Sequence, residues 1–246
     1  MDFRSQVYSP AQNIAVWLAA WHLHHTSTDN FTDAMLALGG PTDLTLLAHI
    51  RALLDAAHAQ APMEQPLVRL ALSGPGDPGP HGVIISKGAH PHEALLLREV
   101  DTPPALAELD PHRPAEWELV DPGVLPPSDY LMPGDADRLL AQATAVAADM
   151  IEAKGFSTDA LHNPRLTVGA LSDFYDTPGL PDATPGRAAQ LFARADRVAA
   201  IIETVGDRMG EHSVDTELIP LWRHIRRARI TGVEYAARDM RRYARP

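Results

Sequence analysis

The closing stretch of the chain reads as one helix with two faces that want different surroundings. On a helical wheel Leu218, Trp222, Ile225, Val233, Ala236, Met240 and Tyr243 share one side, and Arg223, Arg227, Arg238, Arg241, Arg242 and Arg245 fall opposite. The apolar stripe needs a protein surface to cover it, and the guanidinium stripe needs water or anions. A helix from about Val214 to Ala244 is therefore expected to lie on the rest of the fold with its cations outward. Arg229 projects from the middle of the apolar side. An unpaired buried charge costs several kcal/mol, so it is expected to form a buried charge pair with a carboxylate or to meet several carbonyls. Gly232 marks a point where this helix could bend.

Charge sharpens the constraint. Eight arginines and two acids between Pro220 and Pro246 give +6 there, and the formal net charge of −11 then leaves −17 on residues 1–219. Such asymmetry argues for a contact within the chain, between copies, or with an acidic partner. A solvated face with salt bridges to the acidic body is the first reading, and self-association as a homodimer through this helix is the second. A binding surface for an anionic ligand is the third, with Arg223, Arg227, Arg238 and Arg241 as the anion- or partner-binding candidates. Nucleic acid ranks last, because the acidic body repels phosphates and the helix has neither interleaved aromatics nor a helix-turn-helix.

The remainder reads as an α+β protein, predominantly helical, with N-terminal helices and a C-terminal helical bundle around a small antiparallel sheet. A single globular domain over 1–246 is expected, with sub-regions 9–62 helical, 66–121 a small sheet and 134–246 helical. Ser9-Pro10 opens the first helix, Thr28 caps one ending at Gly39-Gly40, and Thr42 caps one closed by Pro62. The runs 67–72, 82–86, 94–100 and 117–120 are short, aliphatic and bounded by turn residues, and so predict strands. Between the first two, Ser73-Gly-Pro-Gly-Asp-Pro-Gly-Pro80 predicts a hairpin loop, since proline lacks the amide donor. Further helices are predicted from Asp135 to about Lys154 and from Thr184-Pro185 through Met209, with a short one possible over Leu166–Tyr175.

Chemistry-bearing motifs are sparse. His22 and His25, three apart on a helix, and His90 and His92, beside a strand, are the candidate metal ligands of a metal-dependent hydrolase. Neither pair comes with a third ligand fixed by local sequence, and no H-E-x-x-H is present. The glycine-proline loop matches no phosphate-cradling pattern and its prolines remove the amides a cradle uses. Asp135 and Asp137 suit a helix start, where carboxylates meet the positive end of the dipole. No nucleophile motif appears, so no catalytic residue or cofactor is assigned and enzymatic activity stays undecided.

Cysteine is absent and no apolar run is long enough to span a bilayer, so a cytoplasmic, non-membrane protein is expected. The start Met-Asp-Phe-Arg shows no secretory pattern. Twelve histidines would carry the net charge from −11 to +1 if all were protonated, so the charge is expected to collapse between about pH 7 and 5. Two lysines, Lys87 and Lys154, stand beside nineteen arginines, a bias first read as the mark of a GC-rich genome. With the glycine-proline-aspartate loop and the helix Asp137-Arg-Leu-Leu-Ala-Gln-Ala143, the chain resembles uncharacterised proteins of high-GC Gram-positive (actinobacterial) bacteria. That resemblance implies no activity, cofactor or catalytic residue. The first functional reading is a cytoplasmic protein acting through protein contacts, with self-association through the arginine-rich helix.

Overall fold

The computed structural model describes residues 10–74, 76–101, 115–125, 131–153, 179–209 and 215–244. Among them the elements run α1 (Pro10–His22), α2 (Thr28–Leu38), α3 (Leu44–Gln60), β1 (Val68–Ala71), β2 (Gly82–Ser86), β3 (Ala94–Glu99), β4 (Trp117–Val120), α4 (Pro133–Ala153), α5 (Gly186–Met209) and α6 (Asp215–Arg242). The architecture is α+β. Ser9, Leu166–Tyr175 and Arg245 lie outside the described residues.

The strands form an antiparallel meander in the order β1-β2-β3-β4. The register pairs Val68 with Ile85, Val83 with Leu97 and Leu97 with Leu119, which puts the larger aliphatics of successive strands on one face. That face packs into a core shared with α1, α2, α3 and the second half of α6, including Ile14, Leu18, Phe31, Ile50, Val233 and Met240. A second core lies between α4, α5 and the first half of α6, built on Leu140, Leu191, Val198, Leu221, Trp222 and Ile225. Helix α6 is thus common to both cores. Its crossing from one to the other falls near Gly232, where an added Cβ would strike the ring of Phe192 on α5. Gly232 permits this close approach of α5 and α6.

The helix starts differ from the sequence expectation by a residue or two, for a local reason. Ser27, not Thr28, caps α2 because its hydroxyl reaches the Asn30 amide at 3.1 Å. Asp43, not Thr42, caps α3 through the Leu46 amide at 2.9 Å. The hydroxyl of Thr184 turns back to the Pro181 carbonyl at 2.7 Å, and α5 begins at Gly186. Indole N–H groups anchor segments to one another: Trp117 donates to the Gly39 carbonyl at 2.8 Å, and Trp17 to that of Gly179 at 3.0 Å.

Candidate functional site

The arginines of α6 do not form one outward stripe. The helix packs against α1, α4, α5 and β1, so most of its circumference is covered. Arg229 is buried and donates to Asp196 Oδ1 on α5 at 2.6 Å. Arg226, read with neither face, is also buried, with Asp77 Oδ2 at 3.8 Å, and burial lowers its pKa while Asp77 opposes the shift. Arg223 is exposed but committed: it donates to the Gly76 carbonyl at 2.7 Å, with Asp77 Oδ2 at 4.0 Å. The glycine-proline loop between β1 and β2 is therefore fastened to the helix through Asp77 and Gly76. Arg238 is half-buried and returns Nε to the Glu234 carbonyl at 3.1 Å. Arg227 is half-buried.

Arg241 departs most from the outward placement expected of it. It is 4% exposed and donates to four carbonyls: Pro62 at 2.6 Å and Gln65 at 3.0 Å from Nη1, His58 at 3.1 Å and Ala61 at 2.9 Å from Nη2. The cause is the C-terminus of α3, which stops at Gln60 beside α6 and leaves carbonyls without intrahelical donors. A guanidinium, with five donors in a planar fork, can serve several of them at once.

The histidine candidates separate. His22 is buried, with Nδ1 3.4 Å from Asp55 Oδ1 and its ring edge-on to His58 at 5.7 Å. Burial drives its pKa down from 6.5 to about 4, against the opposing pull of Asp55. His25 is bonded through Nε2 to the Met240 carbonyl at 2.8 Å, which ties the end of α1 to α6. His90 and His92 stack with centroids 5.4 Å apart, exposed on the β2–β3 turn, and Glu93 is occupied with the His90 amide at 3.1 Å. Among the described residues no group of three or more His, Asp or Glu side chains is placed to hold a metal ion.

Two concavities stand out among the described residues. One, of about 800 Å³, opens on the outer face of the sheet over Leu96 and Val120, with His81, Glu99, Asp101 and Asp121 around it. Arg98 on its wall is paired with Glu118 at 2.8 Å. The other, of about 530 Å³, is a groove between the start of α4 and the outer side of α5. Arg187, Gln190, Arg194 and Arg197 line it at i, i+3, i+7 and i+10, a spacing that keeps them on one helix face while Leu191, Ala195 and Val198 turn inward. Pro133, Gly134 and Asp137 form its other side.

Electrostatically this groove is the odd part of an acidic molecule. Three exposed guanidiniums face one lining carboxylate, that of Asp137, which sits 2.6 Å from Arg194 Nε. Among the described residues Arg187 and Arg197 meet no carboxylate. Arg187 also occupies the first turn of α5, where no acid is present and the helix dipole already places positive potential. A cation there opposes local stability, whereas the first turn of α4 across the groove carries the Asp135 carboxylate. The sequence does not single out Arg187, Arg194 and Arg197, because the apolar periodicity of α5 dominates that segment. Their seven- and ten-residue spacing was the available signal.

No helix among the described residues is long and apolar enough to cross a membrane. No curated protein and no solved structure matches the chain significantly. Residues 134–230 match the family model described as Rv1486c-like protein, C-terminal domain. That span holds the helix Asp137–Ala143 of the resemblance but not the glycine-proline-aspartate loop. The matched 97 of 246 residues run from the second residue of α4 through α5 to Ile230 of α6, so the part of the chain that carries the arginine groove is the part similar to this uncharacterised actinobacterial family.

Proposed function

We propose that the protein acts through contacts with another protein, and that the contact surface is the groove between α4 and α5. One observation carries the reading: a solvent-open row of cations, Arg187, Arg194 and Arg197, starts at the acid-free N-terminus of α5 with, among the described residues, one lining carboxylate to offset it. An arrangement that opposes local stability persists where binding requires it. The groove replaces Arg223, Arg227, Arg238 and Arg241 as the partner surface, because Arg223 and Arg241 are bonded to backbone carbonyls and Arg227 and Arg238 are half-buried. Self-association through α6 loses most of its surface for the same reason. Hydrolase chemistry draws no support from His22, His25, His90 and His92, which do not converge with a further ligand among the described residues. A cytoplasmic setting suits a cysteine-free chain.

The test is site-specific photo-crosslinking from Gln190, which lines the groove and is exposed, with exposed His49 on α3 as the control position. A discrete adduct is expected from position 190 only, and it should vanish with Arg187→Glu and Arg197→Glu together. An adduct at twice 26.7 kDa would identify the partner as a second copy. Identical adduct patterns from both positions would refute the reading.

A further inference from the structure

We infer that the groove recognises a row of carboxylates, an acidic peptide segment of the partner, and that Asp137 is the internal carboxylate such a segment displaces from Arg194. This rests on the groove being a protein-contact surface.

The binding mode is already present in the molecule. Asp137 Oδ1 lies 2.6 Å from Arg194 Nε, so a side-chain carboxylate fits against this guanidinium. Arg187 and Arg197 on either side are exposed and meet no carboxylate among the described residues. The row has a length as well as a sign. Ten residues of helix separate Arg187 from Arg197, about 15 Å at 1.5 Å per residue. An extended peptide covers that distance in four to five residues. Acidic side chains about four positions apart would therefore reach both ends, with an acid between them competing for Arg194.

Phosphate fits the same groove poorly. Pro133 has no amide to give, and the amides of Asp135 and Ala136 are bonded to the Met132 carbonyl at 2.9 and 3.1 Å. A phosphate cradle would need those donors. Among the described residues no aromatic side chain lines the groove, so nucleic-acid bases find no stacking surface there.

The experiment is fluorescence anisotropy on the full chain with a labelled twelve-residue peptide carrying Glu at every second position in a Gly/Ser background, so that acids four apart reach both ends and one lies between them. The same peptide with Gln is the control. The Glu peptide should bind at low salt and weaken as salt screens the pairs. Arg187→Glu with Arg197→Glu should weaken it at least about tenfold, with an unchanged circular dichroism spectrum because both side chains are exposed. Asp137→Asn should tighten it about two- to fivefold, the range expected when one exposed ion pair stops competing. Equal binding of the Glu and Gln peptides overturns the inference. So does an Asp137→Asn variant that binds no better than the parent, or tighter binding of a labelled oligouridylate. The two readings fail separately. Specific adducts from position 190 without a preference for glutamate sink the carboxylate assignment alone, whereas the absence of such adducts sinks the contact reading itself.

Discussion

Replacing Arg241 with methionine should cost about 3 kcal/mol of stability. The substitution keeps most of the aliphatic stem and removes every donor. Four charge-assisted bonds, to His58, Ala61, Pro62 and Gln65, then disappear together. A bond with one charged partner contributes about 1.5–3 kcal/mol, but the parent also bears the desolvation of a buried guanidinium, several kcal/mol, so the gross sum overstates the loss. Burial indeed lowers the pKa of Arg241, with Glu64 opposing. What decides the net effect is the fate of the carbonyls. Those of Pro62 and Gln65 lie on residues that reach solvent, where water can replace the guanidinium. The bond to the Ala61 carbonyl is buried, the one to His58 is partly so, and each stranded acceptor costs about 1–3 kcal/mol. A loss of about 3 kcal/mol corresponds to about 6–12 °C in Tm for a chain of this size. Arg241→Lys should lose about half as much, since one ammonium cannot address both sides of the turn at once. Arg242→Met, on the exposed neighbour, should stay within about 0.5 kcal/mol of the parent. Urea unfolding followed by tryptophan fluorescence measures all three. An Arg241→Met variant as stable as Arg242→Met would show that water serves these carbonyls and that the arginine is an ordinary surface residue.

Gly232→Ala should destabilise by about 1–2 kcal/mol, because a Cβ there would lie 2.8 and 3.0 Å from Cζ and Cδ1 of the buried Phe192 ring, and the overpacking outweighs the gain of about 1 kcal/mol in helix propensity. Adding Phe192→Leu should make the pair cost less than the sum of the singles in the same urea assay. Asp196→Ala should cost about 3 kcal/mol by leaving Arg229 buried without its carboxylate, and combining it with Arg229→Met should recover a large part; additive losses would refute the pairing. His22 has a folded-state pKa of about 4 against 6.5 unfolded, so its contribution is complete above pH 6.5 and is lost as pH falls from 6.5 through 4, in total about 3 kcal/mol. Unfolding midpoints measured across that window should fall less steeply for His22→Leu than for the parent, and parallel slopes would exclude His22 as the group responsible.

The elements were legible because each satisfies a local rule. The strands are bounded by glycine and proline and read as aliphatic runs, and the meander follows from short connections between them. The stripes of α3, α4 and α5 repeat at helical spacing. The cap positions slipped by one because Ser27 and Thr28 are both competent caps, as are Thr42 and Asp43, and only the backbone angle decides which hydroxyl or carboxylate reaches the third amide. The collapse of charge expected on acidification is also reduced by packing. Burial lowers the pKa of His22, His58 and His224, so the folded protein takes up fewer protons than twelve ordinary histidines would.

The placement of the arginines was not legible, and the reason is physical. A helical wheel sorts residues by one angle and assumes one neighbour, whereas α6 has neighbours on several sides and spans two cores. Under those conditions a guanidinium on the nominally outer face is still enclosed, and it is tolerated because it reaches orphaned carbonyls at the end of α3 or the hairpin loop at Asp77. Among the described residues, most of the arginines that make the C-terminal stretch basic are thus paired or bonded within their own fold. The proposed contact surface on α5 follows from the same physics. An exposed cation suggests function only where packing gives it nothing to hold, and α5 meets that condition with Arg187 and Arg197 while α6 largely does not. Charge reversal on the two helices should therefore act on different properties. Arg187→Glu with Arg197→Glu changes binding and leaves the unfolding midpoint nearly fixed, whereas Arg226→Glu, facing Asp77 from a buried position, unfolds the protein before any binding can be measured.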